Sequence, residues 1–197
     1  MPRIAPNTLL KLMSQRSEDK VRDLRKYDEP GGYDATKSFR RAIQLGLPEA
    51  GLAGVALRIE KIPVPSEKSR AKGFFPVLKH KLESIGTKFI EPPRALWRSP
   101  KRMFSVDFHP EAAIIEGNHR ALVFVYCNQK TKPTPTSAGA LIVLARRALK
   151  EVSEEADEIV VLDIARGTAY RAVNNTSAEV LDKEIADLDA WFASRAR

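Results

Sequence analysis

The chain has 197 residues, of which 43% are hydrophobic and 29% charged, and these proportions are typical of one globular domain spanning residues 1–197. Its formal net charge is +8, which favours acidic partners such as nucleic acids. Cys127 is the single cysteine, so an intrachain disulfide and a cysteine zinc cluster are excluded. No apolar stretch is long enough to span a membrane, and the N-terminal apolar run is too short for a signal peptide. We therefore expect a cytoplasmic protein without a membrane partner.

The first part of the chain, residues 1–50, predicts an N-terminal helical appendage. Ser17 is a candidate N-cap for a helix over 17–27, because acidic residues follow it in the first turn. The turn sequence Pro30-Gly31-Gly32 then breaks the chain before a second helix over 35–45.

Residues 55–173 predict an α/β core. The segment VALRIEKIPV at 55–64 alternates apolar and polar side chains, which is typical of a strand with one buried face. A helix follows, capped by Ser66 and ending near Ile85. The sequence at 91–101 then predicts a proline-rich connector.

Three apolar runs separated by turn residues predict a contiguous antiparallel meander with strands at 104–109, 112–116 and 121–127. The elements expected after it are a helix, a strand beside the meander, a last strand and an amphipathic C-terminal helix, at 137–150, 158–164, 167–173 and 176–197. This order predicts a mixed α/β fold, in which a central mixed sheet has helices on its faces.

Positive and negative charges are segregated along the chain. Residues 58–102 carry twelve Lys or Arg against four Asp or Glu, whereas residues 151–189 carry three against eleven. Cations on one surface bind nucleic acid by releasing counterions from its phosphates, so we predict one exposed positive surface that binds DNA or RNA. Its predicted residues are Arg70, Lys72, Lys79, Arg94, Trp97, Arg98, Lys101 and Arg102. Alternatively, the two regions neutralise each other across the fold.

Most motifs of enzyme chemistry are absent from the sequence. It contains no glycine-rich phosphate loop and no G-x-S-x-G nucleophile elbow, and His80, His109 and His119 fit no H-E-x-x-H metal spacing. The apolar neighbours of Cys127 predict a buried and inert thiol.

One group of polar residues does suggest a known family. Asp107 lies on the first predicted strand of the meander, Asn128 and Lys130 lie at the end of a downstream strand, and Glu83 lies on the preceding helix. Over about residues 70–173 this arrangement resembles the PD-(D/E)XK nuclease superfamily, which has the restriction-endonuclease-like core. The predicted order of helix, three-strand meander, helix and strand is similar to that core.

The resemblance implies a metal-dependent phosphodiesterase. Asp107 and Glu83 would hold Mg²⁺ or Mn²⁺, and Lys130 would position the attacking water. Asn128 stands where the family has an acid, and an amide supplies no charge. We therefore expect weak metal binding and slow or absent cleavage by a nucleic-acid-associated protein with a nuclease-like core. The alternative is a non-enzymatic interaction or structural subunit that uses its basic block and acidic C-terminal helix.

Overall fold

The computed structural model describes residues 1–27, 34–152 and 157–195. These residues form six helices and eight strands in a mixed α/β arrangement, which confirms the predicted fold class. The helices are α1 (Pro6–Met13), α2 (Ser17–Arg25), α3 (Lys37–Glu60), α4 (Pro65–Glu83), α5 (Pro135–Leu149) and α6 (Ser177–Ala193). The strands are β1 (Arg3–Ile4), β2 (Lys88–Ile90), β3 (Ala95–Arg98), β4 (Ser105–Phe108), β5 (Ala112–Glu116), β6 (His119–Tyr126), β7 (Glu158–Asp163) and β8 (Thr168–Tyr170). No helix in the described ranges is both long and apolar enough to cross a membrane.

Five strands form the larger sheet, in the order β2-β5-β6-β7-β8. β2, β5 and β6 are antiparallel neighbours, and β6 pairs in parallel with β7 after the chain passes through α5. The parallel register places Phe124 beside Val161. Both faces of these two strands are buried, which explains why their sequences are continuous hydrophobic runs.

Each face of the larger sheet is covered by its own layer. On one face, α3 and α4 pack against alternate residues of β6 such as Val123 and Val125. On the other face, α1, α5 and α6 pack against the intervening residues Leu122 and Phe124. Since successive side chains of a strand point to opposite faces, the sheet separates the core into two layers.

A smaller sheet of three strands, in the order β1-β4-β3, lies on the same face as α5. The ring of Phe108 on β4 meets Phe124 of the larger sheet edge to face, with 5.9 Å between centroids. The predicted meander is therefore wrong in its first strand, because β4 pairs with β3 and β1 while β2 takes the place beside β5. β3 (Ala95–Arg98), which pairs with β4, lies within the segment that was predicted to be a proline-rich connector.

The predicted strand at 55–64 is also wrong, because α3 continues to Glu60. Val55 and Ile59 are buried, whereas Leu57 is 63% exposed, so burial follows the i, i+4 spacing of a helix. The helix is interrupted near Gly51, which has a φ of 60°.

The other predicted helices and strands are confirmed, with differences at their ends. The unpredicted elements are α1 and the short strands β1, β2 and β3, and α1 contributes Leu9, Leu10 and Leu12 to the core. The predicted break at Pro30-Gly31-Gly32 lies outside the described residues, as do the last two residues of the predicted C-terminal helix.

Candidate nucleic-acid interface

The outer side of the smaller sheet is exposed and cationic. On β3, Trp97 faces the core while Leu96 and Arg98 face outward, as strand alternation requires. Arg98 is opposite Ser105 of β4, and Arg3 of β1 is opposite the same serine on its other side. We use the name basic face for five exposed cations on these strands and the segments that flank them: Arg3, Arg94, Arg98, Lys101 and Arg102.

The turn between β3 and β4 carries Lys101 and Arg102. The Ser99 amide donates to the Phe104 carbonyl at 3.0 Å, and the Arg102 amide donates to the Ser99 carbonyl at 2.9 Å. The buried Asp189 of α6 accepts hydrogen bonds from the Ser99 hydroxyl at 2.6 Å and from the Lys101 amide at 3.2 Å. This carboxylate holds the turn against α6 and leaves both cationic side chains in solvent.

Asp107 lies within the basic face, where arginines surround its carboxylate. Arg94 donates from Nε to Oδ1 at 3.0 Å and from Nη2 to Oδ2 at 2.6 Å, which is a bidentate pair. Arg3 Nη1 lies 3.6 Å from Oδ2. The hydrogen bonds from Arg94 hold the pKa of Asp107 below its usual value. Asp107, predicted as a metal ligand, is therefore a counter-charge for arginines.

Glu83 is not near Asp107. It lies at the exposed end of α4, with Lys79 Nζ 4.0 Å from its carboxylate. α4 packs through Leu78 and Leu82 on one face of the larger sheet, whereas β4 packs on the other. The sheet separates the two acids, so the predicted convergence of Glu83 and Asp107 is wrong.

Asn128 and Lys130 belong to a turn that ends β6. The Asn128 side-chain oxygen accepts hydrogen bonds from the Lys130 amide at 2.9 Å and from the Thr131 amide at 2.8 Å. Arg166 donates to the Asn128 carbonyl at 3.1 Å and to the buried carboxylate of Asp163 at 2.9 Å. Asn128 thus shapes the chain after the strand, as asparagine commonly does in turns. Lys130 is exposed, and β6, the strand that this turn follows, does not pair with β4.

The positions of these residues do not fit the divalent metal that the family resemblance implies. A Mg²⁺ or Mn²⁺ site needs several oxygen ligands around one point. Asp107 and Glu83 lie on opposite sides of the larger sheet, and arginines bind the Asp107 carboxylate. In the described parts of the chain, no three His, Cys, Asp or Glu side chains are grouped closely enough to hold a metal ion.

The predicted basic residues do not form one surface. Arg70, Lys72 and Lys79 lie on α4, across the larger sheet from the basic face. Acids on the same side partly neutralise them, since Lys72 lies 2.7 Å from Glu60. Trp97 packs on the core residue Phe104, with 5.9 Å between rings, so it is not the exposed base-stacking residue that we predicted.

A buried ion pair beside the interior strands β5 and β6 of the larger sheet was missed by sequence reasoning. Glu111 precedes β5, accepts a hydrogen bond from the Val125 amide at 2.8 Å and lies 3.4 Å from Arg40 of α3. Burial raises the pKa of Glu111 to about 7. The only available sequence signal was an acid directly before an apolar strand, among the turn residues that separate the first two predicted strands of the meander. The nearby thiol of Cys127 is buried as predicted, and burial raises its pKa.

The basic face offers planar guanidinium groups beside the ammonium group of Lys101, and this donor set binds phosphate oxygens. Within the described residues, Arg98, Lys101 and Arg102 form no ion pair with a carboxylate. Comparison with known proteins adds no assignment: no family model matches the chain, and no curated protein sequence matches it.

Proposed function

We propose that the protein binds DNA or RNA with low sequence selectivity through the basic face. The observation that carries the proposal is the charge of this surface, where Arg94 and Arg3 pair with the carboxylate of Asp107 and three more exposed cations form no ion pair within the described residues. A second carboxylate, Asp189, is buried beneath the turn. The excess of positive charge favours a polyanion, because each neutralised phosphate releases condensed counterions.

The charge balance favours the basic face over α4 as the binding surface. Lys68 and Lys72 share Glu60 at 3.9 and 2.7 Å, and Lys79 has Glu83 at 4.0 Å. These acids reduce the positive potential along the helix. We therefore assign α4 no direct role in binding and use it as the control surface.

The order of elements supports a relation to the nuclease-like core. The resemblance implies the order helix, three antiparallel strands, helix and strand. The chain has this order in α4, then β2, β5 and β6, then α5, and then β7, which is parallel to β6. β3 and β4 are inserted after β2. Because Asp107 and Glu83 do not fit a metal, we propose binding at this surface and assign no hydrolytic step to it.

Charge reversal tests the proposal with a matched control. We expect the triple variant Arg98→Glu, Lys101→Glu and Arg102→Glu to lose at least about a hundredfold in affinity, because three attractive contacts become repulsive. The same change in net charge on α4, made by Arg70→Glu, Lys72→Glu and Lys79→Glu, should cost less than about fivefold. Fluorescence anisotropy with labelled DNA and RNA oligonucleotides measures both effects, and circular dichroism confirms folding.

The salt dependence gives an independent measure of contact number. If about four of the five cations contact phosphates, the slope of log K against log salt is about −3.6 for duplex DNA and about −2.8 for single strands. Absence of binding by the wild type at low salt would reject the proposal and favour the protein-interaction alternative. A larger loss of affinity in the α4 variant than in the basic-face variant would indicate that the interface lies on the side of α4.

A further inference from the structure

We propose that Asp107 makes the basic face selective for chains of phosphates over single phosphates, by holding Arg3 and Arg94 until a polyanion displaces it. This inference rests on the proposed function, since it concerns the same surface. It assigns to Asp107 a role in specificity instead of metal binding.

The geometry of the Asp107 carboxylate matches that of a bound oxyanion. Arg94 donates to both carboxylate oxygens, at 3.0 and 2.6 Å, in the forked arrangement that guanidinium groups also form with phosphate. The side chains of Arg94 and Arg3 are about 60% exposed, against 19% for Asp107. The arginines therefore reach solvent beyond the carboxylate and can contact a ligand that approaches the face from outside.

Asp107 competes well against a single phosphate because it is tethered. A free anion must give up translational and rotational freedom to bind, whereas the carboxylate is already in place at a high effective concentration. A phosphate near Arg94 also meets the negative charge of Asp107. The net gain for a lone phosphate is therefore small.

A polyanion can displace Asp107 where a single phosphate cannot, because other cations of the basic face bind the polyanion first. Arg98, Lys101 and Arg102 have no carboxylate partner in the described residues, so they are available to neighbouring phosphates. Once these contacts form, a further phosphate lies beside Arg94 as part of the same molecule. That phosphate and Asp107 then compete for Arg94 on similar terms, because each is already held close to the arginine.

The spacing of the cations suits a phosphate chain. Arg94 and Arg98 are four residues apart along an extended segment, which places their backbones about 13 Å apart. Arg3 and Arg98 flank Ser105 on neighbouring strands, which corresponds to about 10 Å. One strand of B-form DNA advances about 3.4 Å per phosphate along its axis, so about 13 Å measured along that axis corresponds to the rise of about four phosphates.

The test compares Asp107→Asn with Asp182→Asn. Asp182 is an exposed acid of α6 that pairs with Arg147 at 3.0 Å, so its substitution makes the same change in net charge elsewhere. We expect Asp107→Asn to bind an oligonucleotide about fivefold more tightly at low salt, because one nearby repulsive charge is gone. Its salt slope should stay close to that of the wild type, because the wild-type complex already places a phosphate beside Arg94 once Asp107 is displaced. Asp182→Asn should change neither quantity.

Inorganic phosphate is the second probe. At matched ionic strength, phosphate should not displace an oligonucleotide from the wild type more effectively than chloride does. It should displace the oligonucleotide from Asp107→Asn, where Arg3 and Arg94 are available to a single anion. Thermal unfolding checks that each variant is folded, and Asp107→Ser replaces the asparagine variant if the latter is not.

The outcomes separate this inference from the proposed function. If the wild type binds oligonucleotides but the folded Asp107 variant binds equally or more weakly, the role of Asp107 is wrong and nucleic-acid binding stands. An equal gain in Asp182→Asn would attribute the effect to net charge and also overturn the inference. If neither the wild type nor the variant binds at low salt, both proposals fail.

Discussion

Two carboxylate–arginine pairs in this protein differ in burial, and the difference decides what each pair does. Arg94 beside Asp107 is 61% exposed, whereas the side chains of Arg40 and Glu111 are only 16% and 4% exposed. Water screens the first pair, so such a pair contributes at most about 1 kcal/mol to stability. The second pair lies in a low-dielectric region, where loss of one partner is costly. The exposed pair is therefore accessible to a ligand, as our proposal requires, whereas the buried pair is expected to act in folding.

The largest expected effect is on stability. Glu111→Ala should lower the free energy of unfolding by about 3–5 kcal/mol, because the Val125 amide loses its acceptor and Arg40 loses a buried partner. Asp107→Ala should lower it by less than about 1 kcal/mol. Urea unfolding followed by circular dichroism measures both values. Equal losses of unfolding free energy would contradict the claim that burial separates the two pairs.

The pH dependence of stability sharpens the same comparison. The folded state raises the pKa of Glu111 from 4.5 to about 7 and therefore favours its protonated form. The resulting stability is fully present below pH 4.5 and is lost as the pH rises through about 7. The loss amounts to about 3 kcal/mol.

Glu111→Gln should remove this part of the pH dependence, because an amide does not titrate in that range. Unfolding at several pH values tests the difference between wild type and variant. Asp107→Asn is the control, since the pKa of Asp107 is lowered and its charge stays constant in that window. A wild-type profile parallel to that of Glu111→Gln would contradict the assignment.

A smaller effect is expected from the carboxylate that holds the cationic turn. Asp189→Ala should lower stability by about 2 kcal/mol, because the Ser99 hydroxyl and the Lys101 amide lose their acceptor. Oligonucleotide affinity should also fall a few-fold as the turn loosens. Asp187→Ala, at an exposed position of the same helix, is the control for net charge. Unchanged oligonucleotide affinity in a folded Asp189 variant would show that binding does not depend on the hydrogen bonds that Asp189 accepts from the turn.

The smallest effect is expected at Trp97. Trp97→Leu should change oligonucleotide affinity by less than about twofold, whereas loss of a base-stacking aromatic costs about 1–3 kcal/mol per base. The reason is that this side chain faces Phe104 and the core. Anisotropy titration of the folded variant measures the change. A tenfold loss would place the indole in contact with nucleic acid.

The strands of the core could be predicted where local sequence determines burial. The apolar runs of β6 and β7 indicated two strands, the second beside the meander, and the pairing of Val123 with Val160 agrees with that prediction. The segment at 55–64 was ambiguous, because Val55, Leu57 and Ile59 satisfy alternation while Val55 and Ile59 also satisfy helical spacing. Tertiary packing decided between the two periods.

Strand pairing and site assembly could not be predicted from local patterns. Arg3 pairs with Ser105, and nothing in either neighbourhood encodes a contact so distant in sequence. The separation of Asp107 from Glu83 could not be predicted either, because it depends on which face of the larger sheet each element covers. The basic residues were identified from charge alone, but their division between two sides of the larger sheet depends on β3 pairing with β4 and not on their order in the chain.

The side-chain NMR signals of the arginines give the most direct test of where nucleic acid binds. The Nε–Hε resonances of Arg3, Arg94, Arg98 and Arg102 would be followed as a single-stranded oligonucleotide is added at low salt, with Arg70 on α4 as the internal reference. We predict that the resonances of the basic face shift in a saturable manner while that of Arg70 does not. Saturable shifts at Arg70, with the resonances of the basic face unchanged, would contradict the assignment of the interface.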